Sequence, residues 1–362
     1  MRSVHRAVSD LRRGTPVVLE GVGEALVLVA AETVGARGLT ELAALALTPP
    51  VLLLAPTRAA AVLSRPVAQG LGAVDAVPVA LRLPHALLSE DALRRLADPV
   101  AETLLPEPPA LAPLPSDTLA PAAIALAKIG RLLPAVVAAR AAPGGALAGL
   151  LSVPAADVLS YPLSAATSLT RVAEATVPLE DAPDARIVAF RAAEGGIEHL
   201  AILVGRPEEQ EAPLCRAHSE CFTGDLLGSL RCDCGPQLRG AIARMGAEGG
   251  GVLLYLAQEG RGIGLVNKLR AYALQDTGLD TLDANRALGY GADERSFLVA
   301  ATMLRALGIE RVRLMTNNPD KVAGLTACGI EVEGRVSHLF AANGVNDGYL
   351  ATKKRRFGHL MP

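Results

Sequence analysis

The hydrophobic pattern changes character along the chain. Val4, Val8 and Leu11 fall at helical spacing in a charged N-terminal stretch, which predicts an amphipathic helix. PVVLE (16–20) and ALVLVAAE (25–32) are short β-type runs, and PVLLLAP (50–56) is a continuous apolar run bounded by prolines, as in a fully buried strand. Residues 57–64 and 90–97 carry helical patterns. Seven prolines between Pro99 and Pro121 make that segment a linker or irregular wrap, because proline fixes φ and lacks an N–H. The Ala/Leu-rich sequence that follows reads as helical to about residue 165.

Beyond residue 168 the texture becomes dense in Arg, Asp, Gly and Asn. HLAILVG (199–205), GVLLYLAQ (251–258) and RVRLMT (311–316) read as strands. Pro236–Met245, Leu265–Asp276 and Ser296–Leu307 read as helices, with Pro236 at a helix start and Gly308 as a C-cap. After RVRLMT, Asn317-Asn318-Pro319-Asp320 turns into another helix. The fold class expected is α/β, of mixed α+β type. Two domains are expected from a prior of ~150 residues each, with boundaries at 1–165 and 170–362.

Composition narrows the function classes. The chain is 51% hydrophobic and 20% charged, enough to bury a sizeable core. A net charge of -2 with 3% aromatic residues argues against a nucleic-acid binder. The longest apolar stretch, Leu119 to Leu151, is broken by Lys128, Arg131, Pro134 and Arg140, so no membrane span is expected. The charged N-terminal stretch lacks the apolar centre of a secretory signal, and the cysteine count of five is odd. Together these point to a reducing, cytoplasmic setting.

Three of the cysteines, Cys221, Cys232 and Cys234, lie within fourteen residues. Zinc favours thiolates and holds them deprotonated. Three protein ligands leave an open position for water, the catalytic arrangement, whereas a structural zinc takes four. His218 or Cys215 would be the fourth ligand in the structural alternative. Three thiolates leave the ion weakly Lewis-acidic, so the attacking water needs a protein base.

Gln258-Glu259-Gly260-Arg261-Gly262-Ile263-Gly264 joins a strand to a helix. Its glycines let the backbone approach a ligand, and the helix N-terminus favours an anion. A glutamate there suits the N1–H and N2–H donors of guanine, and an arginine suits phosphate oxygens. Thr316 and Lys321 flank a second strand-to-helix turn suited to phosphate. No G-x4-GK[ST] loop is present, which excludes a P-loop NTPase.

RAHSECFTGDLLGSLRCDCGPQL (216–238), LLYLAQEGRGIGLVNKLRAYALQDTGLDT (253–281), ANRALGYGADER (284–295) and RLMTNNPDKVAGL (313–325) together resemble GTP cyclohydrolase II. The resemblance runs from RVAEATVPL (171–179) to the tail YLATKKRRFGHLM (349–361). It implies zinc-dependent hydrolysis of GTP at C8 and opening of the imidazole ring. Formate and pyrophosphate are released, leaving a diaminopyrimidinone phosphoribosyl product, in the first step of riboflavin biosynthesis. It further implies one Zn²⁺ per subunit on Cys221, Cys232 and Cys234, Mg²⁺ with the triphosphate, and a homodimer. GTP contacts carry over to Arg216, Ala217, His218, Ser219, Glu220, Gln237, Glu259, Gly260, Arg261, Thr281, Thr316 and Lys321. Asp293 matches the proton acceptor, Arg295 the proposed nucleophile and Tyr272 a functional tyrosine. A guanidinium stays protonated and is a poor nucleophile, so a clamp on the α-phosphate is the physically easier role for Arg295. Ala217, Ala257 and Ser337-His338 depart from the family's usual residues without removing a ligand.

Residues 7–43 faintly resemble dihydroxybutanone phosphate synthase. Gly21-Val22-Gly23-Glu24 stands where that enzyme's acidic Mg²⁺-binding loop belongs, so the N-terminal half is expected to be a degenerate, non-catalytic relative. The competing reading for the C-terminal half is an altered paralogue that binds or partly hydrolyses a purine nucleotide. A non-enzymatic zinc module is disfavoured by the charge and aromatic content.

Overall fold

The computed structural model describes residues 2–64, 77–101, 107–142 and 149–360. The strands are β1 Val17–Glu20, β2 Ala25–Ala30, β3 Val51–Leu54, β4 Val79–Arg82, β5 Ala110–Ala112, β6 Ala135–Ala141, β7 Ser152–Pro154, β8 Leu169–Thr176, β9 Arg186–Ala192, β10 His199–Val204, β11 Leu214–Ser219, β12 Gly251–Leu256, β13 Arg311–Met315 and β14 Glu331–Val336. The helices are α1 Arg2–Arg12, α2 Ala36–Leu45, α3 Pro56–Leu63, α4 Glu90–Ala97, α5 Leu119–Ile129, α6 Ala155–Thr167, α7 Cys234–Ala247, α8 Leu265–Asp276, α9 Thr281–Ala287, α10 Phe297–Ala306, α11 Pro319–Ala327 and α12 Asp347–Arg356. The mixed α/β class expected from the pattern is borne out. Among the described residues no helix is long and apolar enough to cross a membrane.

The chain divides into two compact units, each discontinuous. One comprises Met1–Tyr161 with Val266–Glu294; the other comprises Pro162–Leu265 with Arg295–Pro362.

In the first unit a seven-stranded sheet runs β5-β4-β3-β6-β2-β1-β7. Its pairings are antiparallel except β1 with β7. Every residue of β2 is buried, and α1 and α5 supply Val4, Leu11, Ala123 and Leu126 to the same core. The helical reading of residues 122–165 needs correction. Helix α5 ends at Ile129, Gly130 caps it, and Arg131 adopts φ +55°. Pro134 then closes off any helical continuation. The Ala-rich AVVAARA that follows is strand β6, paired with β2 and β3. Alanine is a poor strand former, but two neighbouring strands and burial on both faces outweigh that local preference. In the Pro-rich region, residues 102–106 lie outside the described set. The described part holds the short, largely exposed β5 at the sheet edge and the first residues of α5.

The second unit holds a seven-stranded sheet of order β14-β13-β11-β12-β10-β9-β8. Strands β14, β13, β11 and β12 are parallel; β10, β9 and β8 continue antiparallel. Helix α10 covers one face with Val299, Met303 and Leu304, and α7 covers the other with Ala241 and Met245. The predicted strands and helices of this half appear within a residue or two of their expected limits, although α7 begins at Cys234 rather than at Pro236. In open sheets ligands bind beyond the carboxyl ends of parallel strands. Here β11, β12 and β13 end next to one another and run into Ser219-Glu220, Gln258-Glu259 and Thr316-Asn317.

Candidate metal centre and nucleotide site

Strand alternation decides which way the residues of β11 face. Cys215 and Ala217 point into the α10 core, while Arg216 and His218 share the opposite face, against α7. Arg216 is buried and donates to the Met315 carbonyl at 3.2 Å and to Gln237 Oε1. Burial pushes its pKa down to about 10.

Beyond β11 the chain makes a π-helical turn, Phe222–Leu226, and a loop that ends at the start of α7. The turn wraps the Cys221, Cys232 and Cys234 sulfurs, which lie within 4.8 Å of one another. Cys221 Sγ and Cys232 Sγ are 3.7 Å apart. Two thiolates placed tetrahedrally on zinc, with Zn–S about 2.3 Å, stand about 3.8 Å apart, so the sulfurs fit the ion. Proximity to Cys221 pushes the Cys232 thiol up to about 11, and Cys221 and Cys232 hold Cys234 well above the ordinary thiol range. Acids packed this closely ionise together only around a cation. Cys234 opens α7, whose N-terminus also favours a thiolate.

Neither candidate fourth ligand joins the cluster. Cys215 is fully buried in the core, and burial pushes its thiol up to about 12. His218 donates Nε2–H to both carboxylate oxygens of Asp225 at 3.1 Å and stacks on Tyr255 at 5.7 Å. Burial lowers its pKa, so the ring is neutral at neutral pH. Its Nδ1 is buried with no hydrogen-bond partner among the described residues.

Asp225 was not singled out by sequence. Besides His218, its carboxylate accepts the Cys221 N–H at 2.9 Å and the Tyr255 hydroxyl at 3.1 Å. The first of these bonds fixes the backbone of a cysteine of the cluster, so Asp225 sets the position of a sulfur that could hold a metal. Asp225→Asn turns one acceptor oxygen into a donor facing these groups. Metal affinity is expected to fall ~10–100-fold, read by competition with a chromophoric chelator; unchanged affinity would count against this role.

Asp233 and Lys353 were not singled out either. Asp233 precedes α7, is buried, and takes Lys353 Nζ at 2.6 Å together with the Gln237 amide. The partner lies 120 residues away, a spacing no local pattern reveals.

Glu259 is buried after β12 and accepts the Phe222 N–H at 2.6 Å and the Gly260 N–H at 2.9 Å, tying the glycine loop to the cysteine loop. Gly260 and Arg261 both sit in the left-handed region, φ +63° and +64°. For Arg261 this backbone is strained, as often at functional sites. Its guanidinium lies 3.6 Å over the Phe357 ring. Lys321 Nζ donates to the Ala217 carbonyl at 2.6 Å, and Arg295 reaches Ser219 Oγ at 3.4 Å. The Thr316 hydroxyl caps the Asn318 N–H at 3.0 Å. His359 registers how these cations converge. Burial first, then the charges of Lys353, Arg261, Lys321 and Arg295, push its pKa down to about 3. Such a concentration of positive charge suits an anion of several charges. His338, one of the departures from the family pattern, donates Nε2–H to the Gln237 carbonyl at 2.8 Å and packs on Phe340.

The second unit thus holds the cysteines, Arg216–Glu220, Gln237, Glu259–Arg261, Arg295, Thr316 and Lys321. Tyr272, Thr281 and Asp293 belong to the first unit, on Val266–Glu294.

Residues 170–337 match the family profile described as GTP cyclohydrolase II. A GTP cyclohydrolase-2 of Azospirillum brasilense is 50% identical over 371 residues, covering 100% of this chain and 94% of that protein. The chain belongs to the GTP cyclohydrolase II family. A second member, from Xylella fastidiosa strain Temecula1, is 40% identical over 358 residues, covering 98% of this chain and 86% of its own. The family assignment therefore extends over the N-terminal unit as well as the profile region. Among solved structures, a two-domain 3,4-dihydroxy-2-butanone 4-phosphate synthase from A. baumannii aligns over 93% of this chain and 99% of its own. Its sequence identity is 19% and the TM-score 0.34, a likeness too slight to carry an assignment.

Proposed function

We propose that this cyclohydrolase opens the imidazole ring of GTP at C8 with a zinc ion held by Cys221, Cys232 and Cys234. Formate and pyrophosphate leave, in the first step of riboflavin biosynthesis. The observation that carries the metal is the 3.7 Å separation of the Cys221 and Cys232 sulfurs. When bound, the ion would polarise water for attack on the electron-poor carbon between two nitrogens.

The chain's own groups do the remaining work. Each Glu259 oxygen already accepts one backbone N–H, which fixes the plane of the carboxylate. We assign the carboxylate, held in that plane, to the N1–H and N2–H of guanine. Arg216, Arg261, Arg295, Thr316 and Lys321 hold the triphosphate, whose Mg²⁺ shares its charge. Arg295 acts as a clamp on the α-phosphate, since its guanidinium remains protonated. Ala217, His218, Ser219, Glu220, Gln237, Gly260 and Thr281 complete the substrate contacts. Asp293 and Tyr272 move the protons that a weakly Lewis-acidic centre leaves to the protein. A cytoplasmic homodimer, with residues 1–165 as a non-catalytic domain ahead of a catalytic domain at 170–362, completes the reading.

The test is incubation of zinc-replete protein with GTP and Mg²⁺, followed by assay of formate and the pyrimidine product. Stoichiometric formate is expected. Binding of GTP without formate would reject the reaction in favour of an altered paralogue.

A further inference from the structure

The first unit contains more than the N-terminal half. Val266–Glu294, part of the cyclohydrolase sequence, folds with it. The attachment is dense and polar. Arg270 on α8 pairs with Glu32 at 2.9 Å and with Asp98 at 2.9 Å. Burial alone would lower the Arg270 pKa; Glu32 and Asp98 outweigh it and raise it. The turn between α5 and β6 receives three further bonds. Asn267, 0% exposed, donates to the Arg131 carbonyl at 2.9 Å, and the Tyr290 hydroxyl donates to the Leu132 carbonyl at 2.6 Å. The Leu133 N–H donates to Glu32 Oε2 at 2.7 Å, so Glu32 links the turn to Arg270. At the far end of the segment, Lys128 Nζ on α5 meets Glu294 Oε1 at 2.7 Å, and the same oxygen accepts the Gly291 N–H at 2.7 Å. Thr57 on α3 donates to the Arg286 carbonyl at 2.7 Å.

These anchors bracket the groups assigned to chemistry. Arg270 lies two residues before Tyr272; Glu294 directly follows Asp293 and precedes Arg295. The ion pairs are half-buried, with side chains 16–25% exposed, and they tie this segment to the N-terminal half at both of its ends. We infer that the N-terminal half is a positioning frame for the cyclohydrolase reaction, in which Glu32, Asp98 and Lys128 hold the segment that carries Tyr272, Thr281 and Asp293. None of the three need touch substrate; they act through Arg270 and Glu294. The inference rests on the assignment of Asp293 above.

The test uses the full-length, zinc-replete protein. Lys128→Glu sets two carboxylates against each other and is expected to lower kcat for formate release by about tenfold or more, with KM for GTP changed far less, since misplacement of a reacting group costs on that scale. Zinc content stays at the wild-type level, and amide exchange rises in peptides from 266–294 more than in those of the second unit. The swapped pair Lys128→Glu with Glu294→Lys restores the opposite charges and is expected to recover most of kcat and the exchange protection. Unchanged kcat and exchange in Lys128→Glu would overturn the inference. So would a loss accompanied by uniform exchange throughout the chain, which marks a merely structural contact. Glu32→Gln with Asp98→Asn, neutral and nearly isosteric, repeats the measurement if the charge reversal does not fold. Asp293→Asn, assayed alongside, separates the two ideas: if it retains wild-type turnover, the assignment of Asp293 fails; if it is inactive while the frame variants are not, the frame fails.

Discussion

Cys232→Ser is expected to lower formate release by about three orders of magnitude or more, because a catalytic metal contributes several kcal/mol of transition-state stabilisation. A serine hydroxyl is a hard, neutral oxygen that does not ionise near neutral pH. It therefore cannot replace a thiolate in a three-sulfur shell. The two thiols left behind are coupled to one another and do not hold the ion with the affinity of three. Structure outside the centre should persist. The cores of the second unit are built from α7, α10 and the strands, and Cys232 is in neither of them. Metal content, formate yield and circular dichroism on the same preparation check this. A metal-free variant that turns over GTP at the wild-type rate would falsify the mechanism. Chelation of the wild type is expected to give the same loss, reversed by added zinc.

Gly224→Ala is expected to damage the centre without altering any ligand. A Cβ at Gly224 would lie 2.7 Å from Cys232 Sγ, 2.9 Å from Cys221 Sγ and 3.0 Å from Cys234 Cβ. Ordinary contacts are about 3.5–4.0 Å, so the sulfurs must retreat by close to an ångström. Metal–ligand distances tolerate only about 0.2 Å. Gly235 beneath it closes the obvious retreat, since its own Cβ position is 2.3 Å from the Gly224 carbonyl. We expect metal affinity to fall ~100-fold or more, as when the groups that orient ligands are lost. Gly228→Ala is the control. It lies in the same loop at φ +66° with nothing within 4 Å, so it brings backbone strain but no steric clash. Competition against a chromophoric chelator should show near-native zinc affinity for Gly228→Ala and a large loss for Gly224→Ala. Equal affinities in the two variants would mean the turn yields more than its packing suggests.

Two parallel strands of the second unit were legible because apolar residues occupy their buried positions, in a continuous run in β12 and in alternation in β13. β12 reads GVLLYL and β13 reads RVRLM, each followed by polar residues that turn into a helix. β6 was not legible. Its alanines favour helix locally, and only pairing with β2 and β3 makes them strand. At the site, the three cysteines stand out because soft ligands at short spacing are rare. Asp225 sits four residues beyond Cys221, in a stretch where an acid would ordinarily be solvated. Its importance arises from the π-turn that folds its carboxylate back onto the Cys221 N–H, and from the stacking of His218 on Tyr255 across two strands.

Sequence by itself determined the chemistry available to this protein: which side chains can bind a soft cation, accept from guanine or clamp phosphate. Those properties belong to residue types at short spacing, where the covalent chain holds them together. Only the tertiary structure decided the supporting groups. It alone brought Lys353 to Asp233 across 120 residues, and it alone grouped Tyr272 and Asp293 with the N-terminal sheet. Such pairings are chosen by what must be buried and neutralised together. A buried charge takes whichever opposite charge the fold delivers, and nothing in the local sequence says which that will be.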